Sequence, residues 1–304
     1  MRDTFVKTLI ELAKKDKNIE LVTGDLGFGV LKPYWEALPD QFTNAGIAEQ
    51  NMTTMAAGMA LAGKTVFTYS IGNFPTLRCL EQIRNDCAYH NANVKIVCVG
   101  GGFVYGSLGM SHHATEDIAI LRALPDVVVL APGDLLEAEE ATKAMVKHNG
   151  TCYLRLGRGG EKRIHQKIDN FQIGKAIKVK EGQRVAIFST GAIFEEVDGA
   201  VEILKNQGID PAVYTFPTVK PLDIEVINNT AKDFDLIVTV EEHNIVGGFG
   251  SAVAEVLSEQ VTKARLLRIG LNDTYSAIVG SQQYLRSQFG IDSKGIAEKI
   301  LKVL

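Results

Sequence analysis

Residues 46–70 read GIAEQNMTTMAAGMALAGKTVFTYS. Within them Met52, Met55, Ala56 and Met59 fall at i, i+3, i+4 and i+7, one face of a helix. The spacing predicts a helix from about Ile47 to Ala62. The methionine stripe is read as core packed against a sheet rather than as a soft binding surface. Thr65–Ser70 follows, short and rich in β-branched and aromatic residues, and reads as a buried strand. A helix of this length feeding directly into such a strand is the repeating unit of an α/β layer.

The same alternation continues in both directions. Ile19–Thr23, Val94–Val99, Val127–Ala131 and Thr151–Leu156 also read as buried strands, apolar on both faces as in parallel sheets. Thr4–Lys14 reads as a helix, and Asp134 with Glu137 makes an Asp-x-x-Glu start for another that runs to about His148. Strand, helix, strand in this order requires crossover connections and a parallel sheet. The pattern breaks after Leu156: Gly157–Asn170 holds Gly157, Gly159, Gly160 and several basic residues, a linker composition. A second series follows, with strands Val185–Ser189, Ala212–Phe216, Leu236–Glu241 and Arg265–Ile269 and helices Phe194–Asn206 and Ser251–Glu259. The expectation is an α/β protein of two domains, residues 1–165 and 166–304, each a mainly parallel sheet flanked by helices.

With 304 residues, 46% hydrophobic and 22% charged, the chain is long enough for two cores of ordinary size. Its 32 basic and 36 acidic residues give a net charge of −4 without a basic patch, which argues against nucleic acid as a partner. The apolar runs are too short to span a bilayer. The N-terminus has neither an apolar core segment nor a cleavage site of the secretory kind, so a cytoplasmic protein is expected. Cys79, Cys87, Cys98 and Cys152 form no C-x-x-C pair and no zinc spacing, and read as buried thiols.

Several residues have the type and placement for chemistry. Glu49 falls in the first turn of its helix, where the helix dipole favours a carboxylate. Inside a cleft, the same carboxylate could share a proton with a ligand nitrogen. Gly100–His113, GGGFVYGSLGMSHH, follows the strand Val94–Val99. Its glycines allow close backbone approach to a ligand, and ligands of doubly wound sheets bind beyond the carboxyl ends of strands. His112 and His113 close that loop, either as proton carriers or as satisfied histidines. Phe74, in the loop after Thr65–Ser70, is either core or a platform for a flat heterocycle; Arg78, Arg84 and Asp86 follow on a helix. No metal-ligand cluster is legible. Gly24-Asp25-Leu26-Gly27 resembles a phosphate loop only superficially, because Leu26 stands where a glycine is needed and no matching Asn follows.

Taken together, these motifs resemble the transketolase family. The likeness rests on Gly46–Met52, Ala56–Leu61, Glu81–Asp86, Ser111-His112-His113, Glu116–Ala119, Arg122–Pro125 and Tyr153–Arg158, and continues weakly through Lys220-Pro221-Leu222-Asp223 and Glu241-Glu242-His243. It is nearest to the C-terminal subunits of two-chain transketolases, and implies a pyrimidine-binding domain followed by a transketolase C-terminal domain. The resemblance implies thiamine diphosphate as cofactor. Glu49 would bond N1′ of its aminopyrimidine, Phe74 would stack on that ring, and Asp25 and Arg78 would lie beside the cofactor. His112 would meet substrate hydroxyls, with His113 and Leu108 nearby. Arg155 or Arg158 would take an acceptor phosphate.

The diphosphate and its Mg²⁺ or Ca²⁺ would then sit on an N-terminal partner subunit, in an α2β2 assembly acting on a sugar or a 2-oxo acid. Two positions depart from the family pattern. Leu108 stands where an acidic residue is usual, and Gly100 where a histidine is usual. Both usual residues touch donor hydroxyls, so ordinary ketose recognition is in question. Competing expectations are a β subunit of a 2-oxo acid dehydrogenase or acyloin-forming enzyme, and a non-catalytic scaffolding subunit.

Overall fold

A computed structural model describes all residues from Met1 to Leu304. Six strands come from the first half of the chain: β1 (Ile19–Thr23), β2 (Phe42–Asn44), β3 (Thr65–Ile71), β4 (Val94–Val99), β5 (Val128–Leu130) and β6 (Cys152–Leu156). Six follow in the second: β7 (Ile177–Lys180), β8 (Val185–Thr190), β9 (Ala212–Thr215), β10 (Thr218–Lys220), β11 (Leu236–Asn244) and β12 (Arg265–Leu271). They form two sheets, one of seven strands in the order β10-β5-β6-β4-β3-β1-β2 and one of five in the order β12-β11-β8-β9-β7. Every residue of β1, β4, β5, β6 and β8 is buried, as strands covered by helices on both faces must be.

The strands that were legible in the sequence are the buried ones and the longer edge strand β12. β2, β7 and β10 were not: they are short edge strands whose pairing is set by neighbours rather than by their own pattern. β7 and β10 are also the antiparallel members, on β9 and β5 respectively. β10 is the larger departure. It leaves the C-terminal series and closes the edge of the first sheet, with Thr218 opposite Leu130 and with Ala131 N–H donating to Pro217 O at 2.8 Å. The two cores are continuous as a result. Met52, Val94 and Tyr153 pack in the same apolar cluster as Phe188, Ile237 and Phe249.

Residues 157–176 contain no helix or strand, in keeping with the linker reading, but they are tethered. Asp134 caps the helix Leu135–Lys147 through Oδ1, which accepts from Leu136 and Glu137 N–H at 3.0 and 2.9 Å. Its other oxygen accepts from Ile164 and His165 N–H at 2.9 and 2.8 Å. Glu137 accepts from Gly133 N–H at 2.6 Å, from His165 Nε2–H at 2.7 Å, and from the Thr215 hydroxyl. A cap that satisfies orphan helix donors thus also joins the linker and the second sheet to the first. No helix is long and apolar enough to cross a membrane.

Candidate active site

The loops at the carboxyl ends of β1, β3, β4 and β6 gather most of the residues singled out in the sequence. The helix carrying Glu49 starts at that residue, later than its apolar pattern suggests. Gly46 takes a left-handed φ of 73°, and Ala48 has extended φ with N–H donating to Gly46 O at 2.7 Å; this tight turn delays the helix. Glu49 is consequently its first residue, 5% exposed, at the end where free N–H groups favour an anion. Asp25, at φ 57°, is fixed between β1 and β2. Asn44 Oδ1 accepts from Asp25 and Gly46 N–H, both at 3.0 Å, and Asn44 Nδ2 donates to Asp25 Oδ1 at 2.9 Å. The intervening Gly24 lies against Glu49: a Cβ there would come within 3.4 Å of Glu49 Cγ.

Phe74 follows β3. Arg78 reaches back across it, its guanidinium 4.6 Å above the ring, and Nη1 donates to Glu49 Oε2 at 2.7 Å. The segment behind it is not one regular helix but a 3₁₀ turn Leu77–Cys79, a short α turn Leu80–Gln82 and a π segment Ile83–Ala88, the kind of irregularity that concentrates at functional sites. His112 also packs on Phe74, edge-on at 5.2 Å. Glu49, Arg78, Phe74 and His112 therefore form one contiguous surface. Leu108 is 55% exposed at the end of the turn Gly106–Leu108 in the same loop as His112.

Two expected substrate contacts are turned elsewhere. His113 is buried, with Nε2 at 3.3 Å from Gly106 O and its ring edge-on to Phe103 at 5.1 Å. Burial lowers its pKa, and its ring packs on Phe103 rather than on Phe74. Arg155 lies in the middle of β6 and points inward. Its Nε donates to Asp117 Oδ2 at 2.7 Å, and its Nη2 to Ala114 O and Glu242 O at 2.8 and 2.9 Å. Of the two arginines considered for a phosphate, Arg158 is the exposed one, just past β6, with its guanidinium 5.6 Å over the Tyr105 ring. The end of the strand is the reason: Arg155 is still inside the sheet, and Arg158 has left it.

Asn44 and Glu242 are the residues that the motifs did not single out for a site role. Asn44 stands in the edge strand that was not legible. Glu242 was visible only within the Glu241-Glu242-His243 string.

The sequence model of the transketolase pyrimidine-binding domain matches residues 1–160, and that of the transketolase C-terminal domain matches residues 174–296. The chain belongs to the transketolase family. A protein of Methanocaldococcus jannaschii described as a putative transketolase C-terminal section is 40% identical, with 99% of this chain and 95% of that protein covered. One of the subunits of an apulose-4-phosphate transketolase of Phocaeicola vulgatus is 36% identical, covering 99% and 96% of the two chains. Among solved structures, a split-gene transketolase described as an inactive β4 tetramer superposes with a TM-score of 0.91 at 33% identity, over 99% of this chain and 97% of that one. The transketolase pyrimidine-binding and C-terminal domains, each a mainly parallel sheet flanked by helices, are thus the two halves of this chain.

Proposed function

We propose that this chain is the C-terminal, β-type subunit of a two-chain transketolase that depends on thiamine diphosphate. In this reading it joins an N-terminal subunit in a cytoplasmic α2β2 assembly and helps to move a two-carbon ketol unit from a ketose or related donor to an aldose acceptor. The observation that carries the reading is the buried Glu49 carboxylate beside the Phe74 ring at the carboxyl edge of the first sheet. An aromatic face with an adjacent carboxylate suits a flat heterocycle with a protonatable ring nitrogen.

The diphosphate end fits this chain poorly. Asp134, Glu137 and His165 stand close enough together to hold a cation, but the four carboxylate oxygens already accept hydrogen bonds from the protein. A phosphate group leaving water needs charged or hydrogen-bonding partners, so the N-terminal subunit supplies the Mg²⁺ or Ca²⁺ ligands. When bound, the cofactor supplies an electron sink for making and breaking a carbon–carbon bond next to a carbonyl. Glu49 holds a proton at the pyrimidine N1′, Phe74 orients the ring, and Asp25 lines the junction with the partner. His112 bonds a substrate hydroxyl and Arg158 takes the acceptor phosphate. Relatives described as a transketolase C-terminal section and as one subunit of a transketolase support the two-chain reading.

The test is reconstitution with candidate N-terminal subunits. Calorimetry is expected to show no sub-micromolar binding of thiamine diphosphate to this chain alone. The pair is expected to bind it with Mg²⁺ and to transfer a ketol unit to an aldose phosphate. Sub-micromolar binding by the isolated chain, or a pair that uses pyruvate and no ketose, overturns the reading.

A further inference from the structure

The loop that carries Leu108 and His112 has a closed neck: Gly102 N–H donates to Ala114 O at 2.7 Å, and Ala114 N–H donates to Gly102 O at 3.1 Å. Within the first domain, Gly100 and Gly101 N–H donate to Leu156 O at 2.8 and 3.1 Å, and Asn73 Nδ2 donates to His113 O at 2.7 Å. A further anchor of the neck comes from the C-terminal domain. Glu242, near the end of β11 and 2% exposed, accepts from Phe103 N–H through Oε1 at 2.7 Å. The backbone sits directly on this carboxylate. Gly102 takes φ 65°, and a Cβ there would lie 2.5 Å from Glu242 Cγ. The carbonyl of Glu242 accepts from Arg155 Nη2 at 2.9 Å, and the same Nη2 donates to Ala114 O at 2.8 Å. One residue of the second sheet is therefore joined to both sides of the neck.

Glu242 is itself held from behind. Its Oε2 accepts from Arg286 Nε and Nη2 at 2.9 and 2.7 Å, and Gln282 Nε2 reaches Oε1 and Oε2 at 3.0 and 2.9 Å. Arg286, 1% exposed, continues to Glu195 Oε1 at 2.7 Å. A buried ion pair of this kind rarely adds net stability over apolar residues of the same shape. What it does supply is a direction: each oxygen of Glu242 is fixed, so the N–H of Phe103 has one place to go. A second contact from the same domain reinforces it, Gly280 N–H to Gly106 O at 3.3 Å.

We infer that Glu242 is a positioning residue for the glycine-rich loop, setting where His112 stands over Phe74 from the C-terminal domain. The kinetic half of this inference rests on the proposed transketolase function; the structural half does not. Displacement of a substrate-contacting side chain by about 1 Å is enough to cost about 100-fold in rate.

Two double variants separate positioning from charge balance, because both lose the Arg286 partner of Glu195 and of the buried Glu196 and so differ only at position 242. Glu242→Met with Arg286→Met removes the acceptor for Phe103 N–H; Glu242→Gln with Arg286→Met keeps it. Hydrogen exchange of the peptide 100–114 in the isolated chain is expected to quicken at least tenfold in the first and to stay within about threefold of wild type in the second. In the reconstituted complex, donor kcat/KM is expected to fall about 10- to 100-fold in the first only, with thiamine diphosphate affinity unchanged. Gly102→Ala pushes the neck off Glu242 with both charges intact, and the same loss is expected there. Unchanged exchange in the Met variant, equal losses in the Met and Gln variants, or an unaffected Gly102→Ala chain overturns the inference. A wild-type pair with no ketol transfer sinks the proposed function instead and leaves the exchange result to decide the loop.

Discussion

Arg78 Nη1 donates to Glu49 Oε2 at 2.7 Å, from a side chain half exposed to a carboxylate almost fully buried. The two ends of this pair are unequal. Removing the arginine leaves a buried anion without its cation, whereas removing the anion frees an arginine that already reaches solvent. Arg78→Met is therefore expected to destabilise the isolated chain by about 1–3 kcal/mol, and Glu49→Gln by less. Their combination is expected to show a coupling of at least about 0.5 kcal/mol in a double-mutant cycle. Urea denaturation of the four proteins measures it; additive effects would mean that the pair is not formed in solution.

Glu49→Gln keeps the volume but cannot share a proton with a ring nitrogen. In the reconstituted complex, turnover is expected to fall by about 10²- to 10⁴-fold, the range of a general acid–base contribution, while the assembly keeps its mass by light scattering. Retention of more than half of the wild-type rate at saturating cofactor would remove Glu49 from this role.

Leu108 is more than half exposed in the loop that bears His112. An aliphatic side chain cannot bond a hydroxyl, and it penalises one that loses water without gaining a partner. Xylulose 5-phosphate is therefore expected to be a poor donor beside a deoxy, branched or 2-oxo acid donor. Leu108→Asp should shift the preference toward ordinary ketoses. Comparison of kcat/KM across donors checks this. Ordinary rates with xylulose 5-phosphate in the wild type, together with simple loss in the variant, would show that Leu108 does not face the donor.

Two neighbouring buried residues of β11 titrate in opposite senses. Burial pushes the His243 imidazole down from 6.5 to about 4, and burial pushes the Glu241 carboxyl up from 4.5 to about 7 against the opposing hydrogen bonds from Phe249 and Gly250 N–H. As pH falls from 6.5 to 4, unfolded His243 takes a proton that the folded chain refuses, and stability is lost. As pH falls from 7 to 4.5, folded Glu241 protonates before the unfolded chain does, and stability is gained. Each effect amounts to roughly 3 kcal/mol, so they nearly cancel. Glu241→Gln is expected to expose the His243 loss, with a urea midpoint that drops steadily from pH 6.5 to 4.5. His243→Gln is expected to reverse the slope. Parallel pH profiles for wild type and both variants would show that the two groups do not titrate as described.

The buried strands were legible because every residue of β1, β4 and β6 must be apolar or internally paired once helices cover both faces. The helix of Glu49 was legible from the period of Met52, Met55, Ala56 and Met59, though not its first residue, which the turn at Gly46 decides. Three of the four edge strands were not legible, because β2, β7 and β10 owe their extended shape to a neighbour and carry little pattern of their own. For the candidate site, the family resemblance pointed to Glu49, Phe74, Arg78 and His112, and these four do meet.

Local sequence determined the two α/β series, the family likeness and the small set of residues with the right chemistry. Which way those residues point was decided elsewhere. His113 follows His112 directly yet is buried against Phe103, and Arg155 is spent on Asp117 while Arg158 is exposed. These outcomes depend on bonds between residues about 40 to 140 positions apart, Arg155 to Asp117 and Phe103 to Glu242 among them. Nothing in a local pattern encodes such partners, because burying a polar group is tolerable only after the whole fold has brought its partner to it.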